Sequence, residues 1–124
     1  MPCILLDRRT VVSAIERYPL NMTFFSTPEK LEIGEIPFIA SHEKPTRRDG
    51  LLYYRRVVEH FGLDARPGEE VTAVTRTQDG KFLAGVKRRH GTSSYLADNI
   101  VFATGYYDWP NLLGVPGEDL PHVS

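Results

Sequence analysis

Cysteine is almost missing from this sequence, in which Cys3 is the only one among 124 residues. One cysteine excludes an intrachain disulfide, a Cys-x-x-Cys redox pair and a cysteine-based zinc site. Long apolar runs are also lacking, because none approaches the roughly 20 residues that span a membrane. The N-terminus has no signal-peptide pattern. These absences predict a cytoplasmic protein that works in a reducing compartment and without membrane contact.

A basic excess and the common catalytic motifs are lacking as well. The net charge is −1, whereas proteins that bind nucleic acid mainly through phosphate contacts carry a clear surplus of Lys and Arg. None of the four histidines has metal-ligand spacing, and no G-x-S-x-G or P-loop motif occurs. The sequence therefore predicts no nucleic-acid partner, no metal site and no catalytic side chain.

The apolar runs that are present predict buried strands and a packed loop. Residues 3–6 and 99–105 are continuous apolar runs, which are typical of strands in a parallel sheet. Thr10 is predicted to cap a short helix that ends before Pro19. Residues 19–45 mix prolines with large apolar side chains, and this composition favours a packed irregular segment over a solvated linker.

A longer helix is predicted between Thr46 and Gly62. Thr46 is a suitable N-cap, Asp49 occupies the capping-box position, and Gly62 is a natural stop after the last turn. Apolar residues at helical spacing form one stripe on this helix, which we expect to be its buried face: Leu51, Tyr54, Val58 and Phe61.

Alternating residues after this helix predict a short strand at 63–66 and then a three-stranded antiparallel meander at about 69–97. Val71 and Ala73 are expected on one face of its first strand, with Val74 on the other. The turns are predicted at residues 78–80 and 89–91. This order of elements predicts an α/β nucleotide-binding fold with an inserted β-meander, in a single partial domain over 1–124.

Three features could contact a ligand. Asp7 follows the first strand, where an acid can bind ribose hydroxyls. The small residues 103–105 follow another apolar run and would allow a ligand to approach the backbone closely. Amide and hydroxyl groups among the aromatics of 18–26 could bind the polar edge of a flat ring. On position alone, a solvated acid and a self-satisfied loop are the favoured explanations of the first and third, and an ordinary turn explains the second.

Longer strings carry a resemblance to a known family. They are Ile4-Leu5-Leu6-Asp7-Arg8, Tyr18-Pro19-Leu20-Asn21-Met22-Thr23-Phe24-Phe25-Ser26-Thr27, Ile36-Pro37-Phe38, Tyr53-Tyr54-Arg55-Arg56 and Ala103-Thr104-Gly105-Tyr106-Tyr107-Asp108, with Gly114-Val115-Pro116-Gly117-Glu118-Asp119. The chain resembles the YpdA-type family over nearly its whole length. These are thioredoxin-reductase-like FAD-dependent pyridine nucleotide-disulfide oxidoreductases, proposed as bacillithiol disulfide reductases.

The resemblance implies a partial FAD/NAD(P)-binding Rossmann-like domain with FAD as cofactor and NADPH as hydride donor. Carried over by position, Asp7 with Arg8 matches the part that binds the adenosine ribose, although Glu is more usual than Asp there. The backbone of Val71 matches the adenine contact. The remaining matched positions are Ala103, Thr104 and Gly105, near the FAD pyrophosphate and ribose, and Asn21, Met22 and Thr23, near the flavin.

The resemblance also implies that the chain is an internal piece and inactive alone. The Gly-rich phosphate loop would precede Met1, and the NADPH domain would follow Ser124. The expected partner of the parent enzyme is a low-molecular-weight or protein disulfide. Two alternatives remain open, a piece of a flavin monooxygenase-like enzyme and a non-catalytic β-ribbon interaction module. Open sheet edges could also pair two copies into a homodimer.

Overall fold

The computed structural model describes residues 3–105 and 111–120. Two small sheets and one long helix form its framework, with two single-turn helices between them. The elements are β1 (Ile4–Asp7), α1 (Ser13–Glu16), α2 (Pro28–Leu31), α3 (Arg47–His60), β2 (Asp64–Pro67), β3 (Glu70–Arg76), β4 (Phe82–Arg88) and β5 (Gly91–Ala97). This order confirms the mixed α/β fold. Within the described ranges, no helix is long and apolar enough to cross a membrane.

Helix α3 begins where its capping signal predicts. The Thr46 side chain accepts a hydrogen bond from the Asp49 N–H, and Asp49 Oδ2 accepts one from the Thr46 N–H at 2.8 Å. Together these bonds satisfy two backbone donors that the first turn of a helix leaves without partners. Gly62, just after the helix, has φ 57, a left-handed conformation that glycine adopts without steric cost.

The buried face of α3 differs from the predicted stripe. Tyr53 and Val57 are buried and pack with Phe38 into the core cluster. The predicted stripe is only partly buried, and its last member, Phe61, is 48% exposed. The difference comes from tertiary packing. The segment from Leu31 to Ala40 packs beside Tyr53 and so covers a neighbouring face of the helix.

The predicted Thr10 cap is also wrong. The Thr10 hydroxyl donates to the Glu16 carboxylate, and α1 begins only after Val12, which has φ 55. Helix α1 is therefore a single turn. Its C-terminal carbonyls are bound by the Arg47 guanidinium, whose Nε lies 3.1 Å from the Ile15 carbonyl oxygen. Arg47, the first residue of α3, thus connects α1 to α3 through hydrogen bonds.

Strands β1 and β2 form a parallel pair, and β3, β4 and β5 form the predicted antiparallel meander. Irregular pairing between Val71 and Ala73 leaves Thr72 out of the ladder. Val71 pairs with Val86, and Val74 pairs with Ala84. Since directly paired residues share a face, and Val86 and Ala84 are two positions apart, the bulge puts Val71 and Val74 together. The predicted alternation within β3 was wrong at this point.

Two predicted buried strands differ in the structure. Residues 99–105 form no strand, and Val101 and Phe102 are 88% and 72% exposed. An apolar run becomes a strand only where a neighbour supplies the ladder, and none of the described strands pairs with this segment. Strand β1 does form, but Leu5 is 44% exposed and Cys3, just before it, is exposed as well.

Candidate functional site

The candidate site begins at the carboxyl end of β1. Asp7 is the last residue of that strand and is half-buried, and its Oδ1 accepts the Arg9 backbone N–H at 2.7 Å. Its carbonyl oxygen accepts the Glu69 N–H at 2.9 Å, and the Arg9 carbonyl accepts the Gly68 N–H at 2.9 Å. The segment that follows β2 therefore runs beside the segment that follows β1. Arg8, the residue directly after β1, is exposed.

Val71 lies two residues after Glu69, near the start of β3. Strand β3 is the outer strand of its sheet, so part of its backbone points away from β4. The valine side chain is 41% exposed. The structure thus brings the start of β3 close to the Asp7 end of β1.

Asn21, Met22 and Thr23 lie at the start of α3. The Met22 carbonyl oxygen accepts the Arg47 N–H at 2.8 Å, and Thr23 forms an isolated antiparallel bridge with Thr46. The Asn21 and Thr23 residues are exposed. The backbone of this segment is therefore fixed by the helix N-terminus, while its polar side chains can reach a ligand.

The third predicted group, Ala103, Thr104 and Gly105, is exposed and lies outside helices and strands. Gly105 has φ 70, and a Cβ built there would meet nothing within 4 Å. The backbone can therefore be approached closely. The place of these residues beside Asp7 and Val71 stays a prediction.

A polar network joins the two sheets close to Asp7, and it was not found from the sequence. The Tyr95 hydroxyl on β5 donates to Glu69 Oε2 at 2.6 Å and accepts from Arg66 Nη1 at 2.8 Å. Arg88 also donates to this hydroxyl and pairs with Glu69 at 3.0 Å. The guanidinium carbons of Arg66 and Arg88 lie 5.2 Å and 5.7 Å from the Tyr95 ring centroid.

The charges of this network stabilise one another. The hydrogen bonds that Arg66 donates, to Asp64 first and to Tyr95 second, raise the pKa of Arg66. In return the Arg66 guanidinium lowers the pKa of Asp64. Tyr95 is 26 positions from Glu69 and 29 from Arg66 in the sequence, so only the tertiary arrangement of the two sheets brings these side chains together.

Other surface features do not coincide with the predicted residues. A shallow groove of about 420 Å³ lies on the outer face of α3 and is lined by Leu52, Arg55, Arg56 and Glu59. Within 3–105 and 111–120, no cluster of His, Cys, Asp and Glu could hold a metal ion.

The residues at the β1 end fit the adenosine part of a dinucleotide. A carboxylate at the end of a parallel strand can accept hydrogen bonds from ribose hydroxyls. The outward backbone of an edge strand offers both donors and acceptors to a purine edge. The Asp7 carboxylate and the outward backbone groups of β3 thus supply the kinds of groups that such a ligand requires.

Comparison with known proteins defines the class. Residues 1–124 match the family described as pyridine nucleotide-disulphide oxidoreductase. The chain therefore belongs to this family, and its fold is a partial Rossmann-like domain with a meander insertion.

Two similar proteins narrow the relationship. The chain is 43% identical over 120 residues to "Bacilliredoxin reductase Bdr" of Bacillus subtilis (strain 168), a match covering 97% of this chain and 36% of that protein. The solved structure "Bacillithiol Disulfide Reductase Bdr (YpdA) from Bacillus cereus" is 40% identical with a TM-score of 0.88, covering 98% of this chain and 37% of that one. The chain thus spans about a third of the length of these relatives.

A flavin-containing monooxygenase from Stenotrophomonas maltophilia is a more distant structural neighbour. It has 19% sequence identity and a TM-score of 0.61, over 68% of this chain and 25% of that one. At this identity the likeness concerns the fold alone.

Proposed function

We propose that this chain is part of an FAD-dependent, NADPH-using oxidoreductase that reduces a disulfide. The observation that carries the proposal is the 43% identity to a bacilliredoxin reductase over 97% of the chain. The geometry at the β1 end supports it, because an acid and an outer strand meet where the adenosine half of a dinucleotide would bind.

In this proposal the residues of the chain bind and orient the cofactor. Asp7, with Arg8 beside it, binds the adenosine ribose, and the Val71 backbone contacts the adenine. Asn21, Met22 and Thr23 approach the flavin from the start of α3. Ala103, Thr104 and Gly105 pass close to the pyrophosphate and ribose. The chemistry that a bound flavin supplies is two-electron transfer from a nicotinamide to a disulfide.

The substrate is proposed from the names of the relatives. One is called a bacilliredoxin reductase and another a bacillithiol disulfide reductase. We therefore propose a disulfide built on bacillithiol, free or attached to a small redox protein, as the substrate. A monooxygenase function has weaker support, because the neighbours of that kind have only about a fifth of their residues in common with this chain.

The test uses the full-length protein that contains these residues. The purified protein should show flavin absorbance and should oxidise NADPH when bacillithiol disulfide or oxidised bacilliredoxin is added. Glutathione disulfide serves as the control substrate and should react more slowly. NADPH oxidation that needs only oxygen would instead favour the monooxygenase alternative. A folded full-length protein without flavin would contradict the proposal.

A further inference from the structure

Glu69 holds a central position between the two sheets. Its backbone N–H donates to the Asp7 carbonyl oxygen at 2.9 Å, which fastens it to the end of β1. Its carboxylate accepts the Tyr95 hydroxyl at 2.6 Å and pairs with Arg88 at 3.0 Å, which fastens it to β5 and β4. One residue thus links the strand that carries Asp7 to the sheet that carries Val71.

Arg66 makes the same connection from β2. Its Nη1 donates to the Tyr95 hydroxyl at 2.8 Å, while its Nε and Nη2 bind the Asp64 carboxylate at 3.0 Å and 2.7 Å. Because β2 pairs in parallel with β1, with Asp7 opposite Pro67, this arginine ties the meander to the same strand pair. The Tyr95 hydroxyl therefore receives bonds from two arginines and gives one to an acid.

From this geometry we infer that Glu69, Tyr95 and Arg66 are positioning residues for the adenosine end of the dinucleotide. They set the distance between the Asp7 carboxylate and the Val71 backbone without touching the ligand themselves. The inference rests on the proposed function, because it takes FAD as the ligand of these two groups. It adds a role for residues outside the predicted site.

Within residues 3–105 and 111–120, the other attachments of the meander to the strand pair are the Gly68 and Glu69 backbone hydrogen bonds and the packing of β3 beside β1. The connection between β2 and β3 consists of only Gly68 and Glu69. Two backbone hydrogen bonds hold this joint, whereas the side-chain bonds to Tyr95 and Arg88 act further from it, on β5 and β4. Hydrogen bonds to charged groups are stronger than neutral ones and directional. A network of such bonds can therefore fix an angle that the covalent joint leaves open.

The test compares two hydroxyl deletions in the full-length protein after its flavin has been removed. Tyr95→Phe removes the hydroxyl at the centre of the network and keeps the ring. Tyr54→Phe is the matched control, since it removes a hydroxyl that donates to the Leu31 carbonyl oxygen at 3.1 Å in the other part of the fold. FAD affinity is measured by titration, and ADP, which has the adenosine but no flavin, is measured as a competitor.

We expect Tyr95→Phe to weaken both FAD and ADP binding about tenfold, the scale of one lost hydrogen bond to a charged group. Tyr54→Phe should leave both affinities within about twofold of the wild type. If Tyr95→Phe binds both ligands like the wild type, or if the two variants lose affinity equally, the positioning role is wrong. A wild-type protein that takes up no FAD would overturn the proposed function itself, a distinguishable result.

A second variant guards against a folding defect. Glu69→Gln keeps one acceptor for the Tyr95 hydroxyl, while an uncharged NH2 group replaces the oxygen that pairs with Arg88. It should weaken FAD and ADP binding by a smaller factor than Tyr95→Phe while its circular dichroism spectrum stays that of the wild type. Unchanged binding of both ligands in a correctly folded Glu69→Gln protein would also overturn the inference.

Discussion

Tyr53 lies flat against Phe38, with the ring centroids 4.2 Å apart and 1° between the ring planes. The Tyr53 hydroxyl also accepts the Ile33 N–H at 2.9 Å and donates to the Ile36 carbonyl oxygen at 2.7 Å. One side chain of α3 thus packs the core and satisfies the backbone of the turn at 33–36.

Removal of this hydroxyl should be costly. Tyr53→Phe removes the hydrogen bonds to the Ile33 N–H and the Ile36 carbonyl, and at about 0.5–1.5 kcal/mol each these contribute about 1–3 kcal/mol together. We expect the free energy of unfolding to fall by that amount in chemical denaturation. Tyr54→Phe, which breaks one bond to Leu31, should cost only about 0.5–1.5 kcal/mol. Equal losses in the two variants would contradict the double role of Tyr53.

A second prediction concerns Gly50, within α3. A Cβ at this position would lie 2.7 Å from the ring of Phe24 and 3.8 Å from Ile15 Cδ1. Gly50→Ala gains about 1 kcal/mol of helix propensity, but it displaces that ring at a typical cost of about 1–3 kcal/mol. We expect a net loss of stability in thermal unfolding.

The control replaces Phe24, the residue in contact with this position, by a smaller side chain. In a Phe24→Leu background the clash is relieved, so the same Gly50→Ala change should become neutral or stabilising. If Gly50→Ala stabilises the protein that retains Phe24, the ring moves aside at little cost. The close contact between Gly50 and Phe24 then does not limit the residue at position 50.

A third prediction follows from the ionisation of Glu16. The hydrogen bond from Thr10 is the largest cause that lowers the pKa of Glu16, and the charge of Arg55 lowers it further. A lowered pKa in the folded state adds stability that is complete above the unfolded-state value of about 4.3. This stability is lost as the pH falls through the folded-state value.

The measurement is the midpoint of thermal unfolding from about pH 7 to about pH 3. Below about pH 4 the wild-type midpoint should fall more steeply than that of Glu16→Gln. The fall for Thr10→Val should be intermediate, because it loses the hydrogen bond but keeps the carboxylate. Asp64, whose pKa Arg66 also lowers, is unchanged in all three proteins and cancels in the comparison. If the midpoint falls equally with pH in the wild type and in Glu16→Gln, the pKa of Glu16 is not lowered by folding.

A fourth prediction tests the ribose contact of Asp7. In the full-length protein, Asp7→Ala should weaken FAD binding about tenfold, because a charged acceptor for the ribose hydroxyls is lost. Asp7→Glu keeps the charge and should retain most of the affinity. Asp98→Asn is the control, since Asp98 pairs with Lys81 at the surface, at 3.5 Å. Equal FAD affinity in all four proteins would remove Asp7 from the site.

Local signals in the sequence were sufficient for several elements. Thr46 and Asp49 predicted the start of α3 because a capping box depends only on neighbouring residues. The strands of the meander followed from the alternation of apolar residues and from the glycine turns. Each of these depends on interactions within a few positions along the chain.

Errors arose where distant segments decide the outcome. The bulge at Thr72 depends on how β3 pairs with β4, and the buried face of α3 depends on the segment that contains Phe38. Residues 99–105 have the composition of a strand, but none of the described strands pairs with them. In the candidate site, the apolar run before Asp7 predicted its place at the end of a strand, while its contact with a ligand stays a prediction. The Tyr95 network depends on how the two sheets lie together, which no local pattern indicates.

The short joint at Gly68 has a mechanical consequence. Val71 lies three residues beyond it, about 10 Å along an extended chain at about 3.3 Å per residue. With that lever arm, a swing of about 5° about the joint would displace Val71 by about 0.9 Å, more than the roughly 0.5 Å within which binding groups must be held. The Glu69 backbone bond to Asp7 and the pair between Glu69 and Arg88 resist this swing together with the Tyr95 hydroxyl, so removing that oxygen atom would loosen the restraint on Val71 without releasing the meander.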